Sequence, residues 1–343
     1  MKVMQVVEPG KLMCIDAPVP KLENDHSVLI RVCAAGICGS DIAIYNGTSP
    51  VATYPRVIGH EFAGEVVEVG SACTRICVGD HVTVNPVIAC GTCRVCQKGR
   101  SNVCANLEVL GVHRDGGYRA YVCVPEANAF TVSKEMPWEK AAIIEPYTVA
   151  AQVASRGGVE AGDTVLILGA GQIALTVLQV CKLLGARVIM TDIVEERLQK
   201  AREFGADETV NTAKDTIETR IFALTDGIGA DVSIDAACVG KTLQQAAACT
   251  RSAGVVVTMG FADRTVPITE LQITKNELDI RGSRLNNNKF PQVIDWVESG
   301  ALDPTRIITH RFPFTEVLQG MQKVKQDPEH TMKVLLTFDA GDV

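Results

Sequence analysis

The sequence carries no surplus of positive charge: 33 lysines and arginines stand against 40 aspartates and glutamates, a formal net charge of -7 over 343 residues, and no basic run interrupts the mixture. Binding along a phosphate backbone needs the opposite balance, so nucleic acid is not an expected partner. Long apolar runs are missing as well. No stretch approaches the roughly 18 uninterrupted apolar residues of a membrane-spanning helix. MKVMQVVEPGKLM meets Pro9 and Gly10 before the apolar segment of an export signal can form. The expectation is a cytoplasmic protein with no membrane partner. Internal repeats of solenoid period and low-complexity tracts are also lacking.

What is present is a globular composition. Hydrophobic residues make up 47% and charged residues 21%, enough to bury a sizeable core in two domains or one large α/β unit. Thirteen cysteines are an odd number, and without an export signal their thiols stay reduced. A clustered subset then reads as metal ligands rather than as a disulfide framework.

Short β-branched runs broken by Gly, Pro and Asp, such as HSVLIRVCAAG, GEVVEVG and DHVTVNP, mark residues 1–150 and predict an antiparallel β domain. From Gly162 apolar strands alternate with amphipathic helices: TVLILG, IALTVLQVCKLLG, ARVIMTDI and EERLQKAREFG, then ADVSIDAAC, KTLQQAAACTRSAG, GVVVTMG and LDIRGS. About six strands in βαβ alternation predict an α/β fold with a doubly wound parallel sheet over residues 151–285. After Arg284 the alternation stops. NKFPQVIDWVESG offers one helix and HTMKVLLTF one closing strand, and residues 286–343 are assigned back to the first domain.

Gly169, Gly171 and Ala174 lie directly after a predicted strand and at the opening of a helix, and Asp192 ends the next strand, 23 residues after Gly169. The first glycine permits a tight turn, the second lets the backbone approach a pyrophosphate, and the small Ala174 allows close helix-to-strand packing. Asp192 would accept hydrogen bonds from the adenosine ribose and repel a 2′-phosphate, so NAD is favoured over NADP.

CGTCRVCQKGRSNVC places Cys90, Cys93, Cys96 and Cys104 with two, two and seven residues between them. Four thiolates complete a tetrahedral zinc shell and leave no open position, so this site is expected to be structural. Plain thiols or an iron–sulfur cluster are the alternatives. Cys38, in CGSDIAIY, has no histidine or lysine beside it to act on its thiol. With His60 and Glu61 of GHE and Glu145 of IIEPYT it makes a dispersed group whose members are individually bland: a lone cysteine is commonly a small core hydrophobe.

Together, CGSD at Cys38, YPRVIGHEFAGEVVEVG from Tyr54, the four-cysteine lobe, GVHRDGG from Gly111, IIEP ending at Pro146 and GAGQIA resemble the zinc-dependent medium-chain alcohol and polyol dehydrogenases over essentially the whole chain. GVHRDGG and SRLNNNKFPQVIDW from Ser283 look more like the sugar-acid branch, which includes L-galactonate and L-gulonate 5-dehydrogenases and the starvation-sensing dehydrogenase of enteric bacteria. The resemblance implies a GroES-like β domain carrying two zinc ions per subunit, one structural and one catalytic. It further implies a Rossmann domain inserted before the last elements, an active site in the cleft between the two, and a homodimer or homotetramer. Cys38, His60 and Glu61 become catalytic zinc ligands, with Glu145 bound directly or through water. The implied reaction is NAD-dependent oxidation at C5 of L-gulonate or L-galactonate to a keto-hexonate of the fructuronate or tagaturonate type, the metal polarising the hydroxyl.

In many relatives a serine or threonine two residues after the ligand cysteine passes the alcohol proton on, eventually to a histidine three residues later. Ser40 is present, but the histidine position is Ala43. Ser40, Glu145 and water are the expected route to solvent; Tyr45, with an ordinary pKa of about 10, suits neutral pH less well. A substrate carboxylate calls for a cation. Arg284 is the first choice, with His113 beside it and Arg114 and Lys289 behind, because a guanidinium grips a carboxylate through two hydrogen bonds. Asn286, Asn287 and Asn288 read as a turn. The rival functions are a polyol or threonine dehydrogenase of the same family, and a zinc- and NAD-binding regulatory protein with little turnover.

Overall fold

Of residues 1–339, which the computed structural model describes, those up to Glu145 and from Asn287 onward make one unit and Pro146–Asn286 a second. The division expected at 150/151 falls inside the helix Ile144–Gly157, whose first two residues belong to the first unit.

The first unit is built around Ser27–Ile37, a strand of SVLIRVCAAGI buried along nearly its whole length. It pairs antiparallel with Glu61–Val69, Tyr121–Pro125 and Lys333–Thr337. The sheet has seven strands, running Ala129–Thr131, His81–Val84, Glu61–Val69, Ser27–Ile37, Lys333–Thr337 and Ile308–Pro313, with Tyr121–Pro125 also on the central strand. Lys2–Glu8, Lys11–Asp16 and Arg56–Val57 form a smaller three-stranded sheet. Val6, Val28, Ile30, Val66, Val82, Val122 and Leu336 fill the core that these strands enclose.

The tail contributes two strands where the sequence shows one. Ile308–Pro313 runs parallel to Lys333–Thr337, joined to it through the helix Val317–Gln326. ITHRFP has no apolar run and is half-exposed throughout, so period-2 patterning gives no signal there. The register Val334 opposite Ile37 brings Lys333 beside the end of the central strand.

The second unit is a six-stranded parallel sheet ordered Glu208–Asn211, Arg187–Asp192, Thr164–Leu168, Ala230–Asp235, Thr250–Thr258 and Asp279–Gly282. TVLIL, RVIMTD and ADVSID are buried on both faces, as strands covered by helices on either side must be. Strand order reverses at Thr164–Leu168, the topological switch point where doubly wound sheets take their ligands. Glu208–Asn211 is a strand that ETVN, with Val210 its single apolar residue, does not announce. No helix among the described residues is long and apolar enough to cross a membrane.

Candidate metal centres and dinucleotide site

The four-cysteine lobe turns on Gly91 and Gly99, both at positive φ (71° and 73°), around the short helix Arg94–Gln97. Its sulfurs converge: Cys93 Sγ lies 3.5 Å from Cys96 Sγ and 3.9 Å from Cys104 Sγ, and Cys104 Sγ lies 3.4 Å from Cys90 Sγ. Zn–S bonds of about 2.3 Å in a tetrahedron set sulfurs roughly 3.8 Å apart, so the donor set fits zinc. Backbone amides of Cys93 and Thr92 bring the Cys90 thiol down to about 6. Cys96 is pushed up to about 12 by burial and by its sulfur neighbours. A divalent cation is what lets all four ionise together. Asn287 fastens the lobe, donating from Nδ2 to the Gly99 carbonyl (2.7 Å) and accepting from Ser101 Oγ (3.1 Å).

Cys38 follows the central strand and sits at the N-terminus of the helix Gly39–Tyr45, while Glu61 opens the neighbouring strand directly opposite Gly36. A Cβ at Gly36 would collide with Glu61 Oε2, so the glycine leaves room for that carboxylate. Ligand atoms of Cys38, His60 and Glu61 lie within 4.8 Å of one another, with His60 and Glu61 buried. Thiolate, imidazole and carboxylate form a donor set suited to zinc with a position left open.

Three residues that the sequence reading does not select hold this group. Asp41, fully buried, accepts from the amides of Cys38 (2.9 Å) and Gly59 (3.1 Å) and from Tyr118 Oη (3.0 Å). Its Oδ1 lies 3.4 Å from His60 Nδ1, an ion-pair distance rather than a tight hydrogen bond. The other ring nitrogen, Nε2, faces Ser40 Oγ at 3.5 Å. A carboxylate behind a histidine is how ligand imidazoles are oriented. Burial opposes charge on His60, but Asp41 and Cys38 outweigh it and hold the imidazole well above its ordinary pKa. Burial likewise opposes the Asp41 carboxylate, and His60 more than reverses that. Tyr118, pushed up by burial, stays a donor whose single proton is shared between Asp41 and the Gly36 carbonyl (2.8 Å).

The third is Lys333. Its ammonium, fully buried, donates to Glu61 Oε1 (2.7 Å), Glu61 Oε2 (2.6 Å) and the Ile37 carbonyl (3.1 Å). Burial works against this charge, yet Glu61 and Cys38 raise its pKa above the ordinary lysine value. Each carboxylate oxygen has a second lone pair, so the ion pair leaves Glu61 able to ligate.

Glu145 is buried too, and burial raises its pKa from 4.5 to about 7, with Glu61 and Asp41 adding to the rise and His60 and Lys333 opposing it. Its folded pKa exceeds the unfolded one, so in zinc-stripped protein this group lowers stability as pH rises from about 4.5 to about 7, by roughly 3 kcal/mol in full. Urea unfolding of stripped protein at about pH 5 and pH 8 is expected to show that loss. Glu145→Gln should flatten it; an unchanged slope would assign the pH dependence elsewhere.

In the second unit Gly169 takes φ 96°, and a Cβ there would meet Ala237 at 3.0 Å. Gly171 caps the helix Gln172–Leu183, and a Cβ there would point into open space, leaving the backbone approachable by a pyrophosphate. Ala174 is fully buried. Asp192 closes its strand, where Oδ2 accepts from the Ala170 amide (2.8 Å) and Oδ1 from the Val194 amide (2.9 Å), with Arg197 at 3.9 Å. These residues fit NAD. Asp192→Ala is expected to raise KM for NAD by about tenfold or more, through the lost charged acceptor, and to narrow the preference over NADP. Comparing kcat/KM for the two cofactors checks this, and an unaltered ratio would remove the discriminating role.

Neither substrate candidate is a member of these ligand groups. Arg284, in the second unit, stacks over Phe261 at 4.9 Å. His113, in the first, accepts the Val109 amide on Nδ1 at 3.1 Å.

The profile of the alcohol dehydrogenase GroES-like domain matches residues 24–134, and that of the zinc-binding dehydrogenases matches residues 173–299. The starvation-sensing protein RspB of Escherichia coli K12 is 42% identical over 98% of this chain and 99% of its own. Sorbitol dehydrogenase of Bacillus subtilis is 33% identical over 93% and 92%, and L-galactonate-5-dehydrogenase of E. coli K12 is 30% identical over 98% and 99%. A crystal structure of RspB from E. coli CFT073 complexed with NADH superposes with a TM-score of 0.94, covering 98% of this chain and 99% of that one. The chain thus belongs to the zinc-binding alcohol dehydrogenase family, oxidoreductases that act on CH–OH groups with a nicotinamide cofactor.

Proposed function

We propose that the protein oxidises a secondary hydroxyl of a sugar acid, at C5 of a hexonate of the L-gulonate or L-galactonate type, with NAD as acceptor. The convergence of Cys38, His60 and Glu61 in a chain that also builds a glycine-lined dinucleotide cradle carries this reading. When bound, zinc would polarise the substrate hydroxyl and NAD would accept the hydride from the carbon that bears it. Asp41 orients His60, and Lys333 balances the charge of Glu61. Ser40, exposed and next to His60 Nε2, receives the hydroxyl proton and returns it to water, which makes a histidine at Ala43 unnecessary. Glu145, ionising near pH 7, assists that transfer. Ser40→Ala is expected to lower kcat by roughly 10²-fold or more with little change in zinc content; unchanged turnover would exclude the hydroxyl from the route.

The sugar-acid assignment draws support from the L-galactonate-5-dehydrogenase relative and from Arg284, a guanidinium matched to a carboxylate. The sorbitol dehydrogenase relative favours a polyol as the second reading. Initial rates of NADH formation by zinc-loaded protein on hexonates, hexitols and threonine, with NAD and NADP, separate them. Hexonates are expected to lead in kcat/KM by at least about tenfold, the worth of one charged hydrogen bond. A leading hexitol would transfer the assignment to polyols. No NADH from any of them would favour a regulatory zinc and NAD binder.

A further inference from the structure

A recess of about 440 Å³ opens on the first unit between Lys21, Glu23, Arg56, Arg114, Asp115 and Arg119. Two of its cations are already engaged. Arg56 donates to Asp115 Oδ1 (3.1 Å) and Thr53 Oγ1 (2.8 Å), and Arg114 donates to Glu23 Oε1 (2.6 Å) with Glu108 a further 4.0 Å contact. Arg56 Nε is itself buried without a hydrogen-bond partner, but Arg119 also lacks an ion pair among the described residues. It follows Tyr118, whose side chain points inward to Asp41, so along an extended backbone the next side chain points the other way. Its Nε is buried with no hydrogen-bond partner, and no carboxylate lies within 4.0 Å of its guanidinium among the described residues. Burial lowers its pKa by more than Asp115 and Glu23 restore. A buried guanidinium donor without an acceptor is unfavourable unless water or a ligand meets it.

The geometry points to a binding site for a phosphate monoester of a small metabolite in this recess, gripped by Arg119 and, at the rim, by Lys21. Four cations against the carboxylates of Glu23, Asp115 and, behind Arg114, Glu108 leave a positive charge that favours an anion, and the guanidinium fork fits phosphate oxygens in pairs. The volume exceeds a bare phosphate and lies in the range of small-ligand sites. His113 and Cys123 also line the recess. The inference does not depend on the hexonate reading.

Inorganic phosphate, titrated calorimetrically into zinc-loaded, NAD-saturated protein at constant ionic strength, tests it, since NAD occupies the dinucleotide cradle. One saturable site is expected, weakened at least about tenfold by Arg119→Met and a few-fold by Lys21→Ala. Lys21 is exposed, so its variant decides the matter if Arg119→Met fails to fold. Three results would overturn the site: chloride binding as well as phosphate does, both variants binding phosphate like the parent protein, or Arg119→Met changing only the oligomeric state. L-Gulonate showing the Arg119 dependence in place of phosphate would also overturn it and make the recess a carboxylate site.

Discussion

Cys38→Ala is expected to cut zinc content from two ions per subunit to one and to lower kcat by at least roughly 10³-fold, the several kcal/mol that a Lewis-acid metal supplies to a polarised oxygen. The reason is local. Of the three donors that converge, His60 and Glu61 alone remain, and two donors do not hold zinc against water when structural and catalytic sites use three or four. The cysteine lobe is a separate cluster with its own four sulfurs, so its ion should stay. Metal analysis and turnover on one preparation check both halves. Two ions retained with activity intact would mean that Cys38 is only a small residue at a helix start.

Lys333→Met is expected to destabilise zinc-stripped protein by roughly 3–5 kcal/mol, because it strands the Glu61 carboxylate, buried, without its counter-charge. Adding Glu61→Gln should recover most of that loss, the signature of a coupled pair in a double-mutant cycle. In zinc-loaded protein the single variant should lose less, since the metal then compensates the carboxylate. Urea unfolding with and without zinc measures each case. A loss under about 1 kcal/mol in stripped protein would show that Glu61 is solvated rather than ion-paired.

These residues mark where sequence reading stops. The glycine loop and the cysteine lobe are legible because their chemistry is local: a turn, a helix start and four thiols within fifteen residues. Cys38, His60 and Glu61 are visible only as a family pattern, since adjacent strands bring them together. Asp41 leaves a trace in CGSD as an acid in the first turn of a helix, the placement of a capping residue, but nothing in the sequence ties it to His60. Lys333 is harder still. It lies 272 residues from Glu61, and a lysine at the start of KVLLT reads as a solvated strand end. Strand order alone buries it beside the metal ligands. The asparagine run bends rather than forming a regular turn, with Asn288 at φ 54°, and nothing in its composition points to the anchoring of the cysteine lobe by Asn287.

Deuterium tracing reaches the reaction itself. With zinc-loaded protein, NAD and a hexonate deuterated at C5, the label should appear at C4 of the nicotinamide in the NADH formed, and Cys38→Ala should transfer none. NADH that carries no label, or label transferred undiminished by Cys38→Ala, would contradict zinc-dependent hydride transfer from the C5 carbinol at the Cys38, His60 and Glu61 site.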